Sequence, residues 1–203
     1  STAPCSTRFT RRLLVDDTLH IKTLLDDGFL QDADCSGLKL SGLDLSGVHL
    51  YRVTLTGADL SSTSLQGAVL ENCPARGASF IGANIQEAAF ESCDLQAAAF
   101  NGSMADFASF RNVDLSRADL GEASLQRSSF TRCNMHGTLL SSAEMRRTLF
   151  MECPSADICF QDTVLIMASF VRADMTGICF PGCDLRMAMF EQGSLRKASF
   201  AGL

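Results

Sequence analysis

Tryptophan is missing from the 203 residues, tyrosine occurs once and proline four times. No apolar run approaches ~18 residues, so no membrane span is expected. No basic-then-apolar segment opens the chain as a secretory signal would. Cys-x-x-Cys pairs are absent, and His20, His49 and His136 lie far apart, outside any ligand spacing. A zinc site is therefore not expected. Gly-x-Gly-x-x-Gly, a phosphate-binding loop, His-Glu-x-x-His and Gly-x-Ser-x-Gly are missing too. The chain is expected to carry no catalytic residue, cofactor or metal. Basic residues are the minority, 17 against 23 acidic for a net charge of -6. That argues against direct binding to nucleic-acid phosphates.

Phenylalanine is plentiful, with 14 copies, and there are nine cysteines. An odd cysteine count without a secretory signal favours reduced thiols and a cytoplasmic setting over a disulfide framework. Hydrophobic residues make up 46% and charged residues 20%, enough for one buried core.

From residue 31 onward the chain repeats every five residues. The 34 positions from Cys35 to Phe200 whose numbers divide by five hold 15 Leu and 11 Phe, and none is charged. Two places before each stands a small residue, with 15 Ala and 5 Cys among the 34 positions from Ala33 to Ala198. Twelve of the 15 glycines fall two places after the large residue. A period of five fits neither a helix nor a long strand. It fits short strands that point a small and a large residue inward and then turn a corner, where glycine is favoured. Cys73, Cys93, Cys133 and Cys153 are spaced by multiples of 20, with Val113 between them. Phe columns alternate with Leu/Met columns, which suggests four units per coil. The periodicity itself fixes neither the number of sides nor the hand.

Gly57-Ala58-Asp59-Leu60, Gly82-Ala83-Asn84-Ile85, Arg117-Ala118-Asp119-Leu120 and Arg172-Ala173-Asp174-Met175 resemble the pentapeptide-repeat motif. The resemblance implies an all-β fold, the family's right-handed quadrilateral parallel β-helix. Residues 31–203 would form about 8.6 coils. Residues 1–30 break the pattern. Asp16-Asp17-Thr18 reads as a helix start and Asp26-Asp27-Gly28 as a stop, a partly helical cap over the open end. The chain does not begin with Met and ends still in register at Lys197–Leu203. We therefore expect the repeat region of a longer bacterial protein, such as a secreted effector acting in a host cytosol.

The family includes DNA mimics that protect gyrase from fluoroquinolones, so the resemblance leaves function open. Eight acids, among them Asp44, Asp59 and Asp119, sit just before the large residue, where Asp serves local turn bonding. Eleven arginines interrupt any continuous negative stripe. The primary expectation is a non-catalytic scaffold that binds a protein partner. A gyrase-protecting mimic and a targeting domain attached to an enzyme are the alternatives. A homodimer through an uncapped C-terminal coil is a further expectation. Outward apolar residues nominate the partner surface. Leu149, Val164, Ile166, Met167, Met187 and Met189 should share a face, with Arg127, Arg146, Arg147 and Arg186 beside them and Phe107 in the same column. Phe107 should also mark a bulge, because Ala105 underfills its core site. Cys73-Pro74-Ala75 and Cys153-Pro154-Ser155 should dent the coil. Cys159 and Cys179 should be outward free thiols one coil apart.

Overall fold

The computed structural model describes residues 28–154 and 157–202. The expected N-terminal cap over 1–30 lies outside the described residues except for its last three. Among the described residues the only strands are nine three-residue segments. They are β1 (Phe29–Gln31), β2 (His49–Tyr51), β3 (Val69–Glu71), β4 (Ala89–Glu91), β5 (Ser109–Arg111), β6 (Ser129–Thr131), β7 (Leu149–Met151), β8 (Ser169–Val171) and β9 (Met189–Glu191). They form one parallel sheet in chain order, each residue paired with the one 20 further on, such as Leu30 with Leu50 and Phe150 with Phe170. Three more rows of bridges keep the same offset, starting at Asp34–Thr54, Lys39–Asp59 and Asp44–Ser64. The chain is an all-β parallel solenoid.

One hydrogen-bond pattern builds every coil. The amide of the large residue donates to the next coil, as Leu60 does to Ser79 at 2.7 Å. The corner amide two places on does the same, Ser62 to Ile81 at 2.9 Å. That corner residue has positive φ in every described unit: 64° at Gly57, 56° at Arg127 and 62° at Phe107. Glycine relieves the steric cost at twelve of these corners, and no β-branched residue occupies any of the others. The bulge expected at Phe107 does not form. Phe107 is an ordinary corner, and Ala105 behind it is fully buried in unbroken register.

The interior is a ladder of rings. Phe80 lies over Phe100 with centroids 4.7 Å apart and planes 3° off parallel. Phe90, on another row, meets Phe80 edge-on at 6.0 Å and 86°. Rings from two rows thus fill the core between the backbones, which leaves room only for small residues at the other inward site. This slender interior accounts for the missing indole.

The cysteines are more than small fillers. At most corners the large residue's carbonyl accepts a turn bond from three residues on, as Leu55 does from Ala58 at 2.9 Å. Among the described residues no such bond forms at the corner after any of the nine strands. At four of these corners a thiol one coil later donates to the strand carbonyl: Cys73 to Leu50 at 3.4 Å, Cys93 to Leu70 at 3.2 Å, Cys133 to Phe110 at 3.3 Å and Cys153 to Phe130 at 3.4 Å. Those carbonyls belong to the parallel strand ladder, and each thiol adds a further donor to one of them inside the core.

The expected dent at Pro74 is confined to one side. Pro74 has no amide, and its bridge to Thr54 is absent. Its carbonyl still accepts from Leu55 at 2.7 Å, and Ala75 stays fully buried.

The acids before the large residues act as turn braces. The Asp44 carboxylate accepts from the Ser46 amide at 3.0 Å, and Asp174 accepts from the Thr176 amide at 3.0 Å. Bonds from Ser46, Ser61 and Thr176, side chain first and then amide, hold Asp44, Asp59 and Asp174 below the usual carboxylate range. A carboxyl depressed in the folded state adds stability above its unfolded pKa of about 3.9 and loses it as pH falls through the folded value. The melting temperature is therefore expected to stay flat from pH 7 to about 5 and to fall below about 4, read by circular dichroism across a pH series.

Candidate partner-binding cleft

The corner that follows the row of Leu125, Met145 and Leu165 departs from the polar exterior. Its column runs Phe107, Arg127, Arg147, Met167, Met187, joined by amide bonds such as Phe107 to Gln126 and Arg147 to Ile166, both 2.9 Å. Positive φ at all five residues sets each side chain at a corner of the ladder, with Met167 half-buried and the other four exposed. Phe107 is 52% exposed and Met187 70%.

A cleft of about 370 Å³ opens on this edge, lined by Gln126, Arg127, Arg146, Arg147, Ile166 and Met167. The other nominated residues lie around it. Val164 precedes Leu165 on the same row and is half-buried. Leu149 opens β7 and Met189 opens β9, past the corner and separated by Ser169. Arg186 and Met187 extend the edge toward the C-terminus. The nominated residues therefore wrap a corner and do not share one flat face. The reason is the corner geometry, which places the column between two rows. Gln126 was not nominated, although it stands one coil before Arg146 in the same column.

The arginines differ in what holds them. Arg146 pairs with Glu144 at 3.3 Å, and Arg186 binds Asp184 at 2.7 Å. The Arg186 guanidinium in turn holds the Asp184 carboxyl below its ordinary range. Arg127 lies over the Phe107 ring, 5.4 Å from its centroid, a cation–π contact. Among the described residues no carboxylate lies within ion-pair distance of Arg127 or Arg147. The cleft thus offers two uncompensated guanidiniums next to the exposed Phe107 and the half-buried Ile166 and Met167. Such an edge can receive a carboxylate beside an apolar anchor. Among the described residues no cluster of three or more His, Cys, Asp or Glu could hold a metal. Among them, too, no helix is long and apolar enough to cross a membrane.

Two family models match the chain, a pentapeptide repeat region over residues 43–120 and eight copies of the pentapeptide repeat over 108–147. The chain belongs to the pentapeptide-repeat family. No curated protein matches it. Among solved structures it is similar to trypsin-treated QnrB1, a plasmid-mediated fluoroquinolone resistance protein, with a TM-score of 0.73 at 18% identity over 80% of this chain and 82% of that one. It is also similar to HetL, a pentapeptide-repeat protein involved in heterocyst differentiation regulation from the cyanobacterium Nostoc sp. strain PCC 7120. That match has a TM-score of 0.57 at 16% identity, over 88% of this chain and 92% of HetL. At these identities the likeness is one of fold.

Proposed function

We propose that the chain is a non-catalytic protein-binding rod whose recognition edge is the Arg127–Arg147 cleft. The observation that supports this most is the pair of arginines without carboxylate partners beside Phe107, Ile166 and Met167. The partner it fits is a protein segment with carboxylates around an apolar anchor. We further propose that the four ladder rows are the sides of a right-handed quadrilateral coil, capped at its N-terminal end and acting in a reducing cytosol. Leu195 and Phe200, partly exposed in the last described coil, are where two copies would pair.

The test uses a fluorescein-labelled peptide of glutamates flanking one phenylalanine, with the lysine counterpart as control. Binding of the glutamate peptide alone, weakening as salt screens the arginines, is expected. Equal binding of both peptides, or of neither, would contradict the proposal.

A second reading, protection of DNA gyrase, draws on two observations. One is the fold likeness to QnrB1. The other is the row through Leu60, Leu120 and Phe160. Its outward charges are Asp59, Asp119, Glu122 and Asp162, against a single Lys39. A gyrase supercoiling assay with a fluoroquinolone decides this reading. Restored supercoiling supports it, and unchanged inhibition removes it.

A further inference from the structure

The stack loosens at one place that no proline explains. Every other described pair of bridge residues 20 apart without a proline forms its bridge, but Cys159 and Cys179 do not. Cys159 still pairs with Leu139, and Cys179 with Ser199, so the gap lies between these two coils. Its cause is the small inward site. Ile158 and Ile178 stand there one above the other, where Ala58, Ala78, Ala98 and Ala118 fill the same column earlier in the chain. Both isoleucines are buried, and the added methyl groups wedge the coils apart. The rings just after them record it. Phe160 and Phe180 are tilted by 23°, against 14° for Phe180 and Phe200 in the same row and 3° for Phe80 and Phe100.

The wedge changes what the two thiols can do. Ordinary ladder spacing of ~4.8 Å lies within the ~4.4–6.8 Å between Cα atoms that disulfides span. No bridge fixes the Cys159 and Cys179 backbones to each other. Cys179 is exposed and Cys159 half-buried, with its sulfur 3.6 Å from the Ser141 hydroxyl. The remaining described thiols are buried.

We propose that Cys159 and Cys179 form a thiol–disulfide site that reacts with small disulfides such as oxidised glutathione. The exposed Cys179 thiolate attacks one sulfur of the reagent, breaking its S–S bond and releasing one glutathione thiolate. Cys159, as thiolate, then displaces the second glutathione from Cys179, and the Cys159–Cys179 bond forms. The two cysteines are oxidised by two electrons, the reagent is reduced to two thiols, and the two cysteine protons end on them. The bond ties two coils together where their ladder is open.

The test treats the reduced full chain with oxidised glutathione and maps thiols by mass spectrometry. The expected result is loss of two of the nine free thiols, no retained glutathione, and a bond joining tryptic fragments 148–172 and 173–186 through Cys159 and Cys179. Those fragments also carry Cys153 and Cys183, so the bond is assigned by fragmentation. Cys159→Ser is expected to leave glutathione on Cys179, because no resolving thiol remains. Separate glutathiones on both residues of the unmodified chain, a bond through Cys153 or Cys183, or an unchanged thiol count would overturn the proposal. An unchanged circular dichroism spectrum for Cys159→Ser excludes misfolding as the cause.

Discussion

Replacing Phe130 by alanine is expected to destabilise the protein by about 3–5 kcal/mol. Phe130 is fully buried in the ring column of the nine-stranded row. Its ring stacks on Phe110 at 4.9 Å and on Phe150 at 5.2 Å. Alanine removes two stacked contacts at once and leaves a hole that rigid ladder bonds on either side keep from collapsing. The loss is expected in the midpoint of denaturant unfolding. Because each coil contacts only its neighbours, it should also split the unfolding into two transitions on either side of the hole. A single transition with an unchanged midpoint would contradict a core built from stacked rings.

The double substitution Ala98→Ile with Ala118→Ile is expected to cost about 1–3 kcal/mol per residue through overpacking. Both alanines are buried in the column where Ile158 and Ile178 already stack. The variant copies that natural wedge into the tight middle of the rod. There Asp119 donates to Ala98 at 2.9 Å, and Ala99 bridges Asp119. Those ladder bonds should open, so the Asp119 amide should exchange hydrogen faster than the Asp59 amide in the same row. Retained protection at Asp119 would mean that side-chain bulk does not set the coil spacing.

Much of this architecture was legible from residue spacing. The alternation of small and large inward residues, the Phe columns and the turn role of Asp44 or Asp174 all follow from a period of five and the chemistry of Asp. What escaped is set by contacts between coils. Spacing marks glycine corners, but it does not show that Phe107 or Met167 adopts the same positive φ. Phe107 was therefore expected to bulge. Cys73 and Cys93 look like plain fillers in sequence, because the strand carbonyl of the neighbouring coil that each thiol meets is invisible there. The bridge gap at Cys159 depends on Ile158 meeting Ile178 20 residues away. Gln126 was missed because a glutamine in a polar row carries no signal until the cleft forms around it.

The charge-reversed variant Arg127→Glu with Arg147→Glu tests the central claim, that the rod recognises a partner through this corner. Both side chains are exposed and leave the core untouched, so the melting temperature should hold. Titrated with the glutamate–phenylalanine peptide by fluorescence polarisation, the variant should bind at least about tenfold more weakly than the unmodified chain, a loss of about 1.4 kcal/mol. The lysine peptide should gain. Unchanged affinity for the glutamate peptide in a folded double variant would contradict the assignment of this edge as the recognition surface.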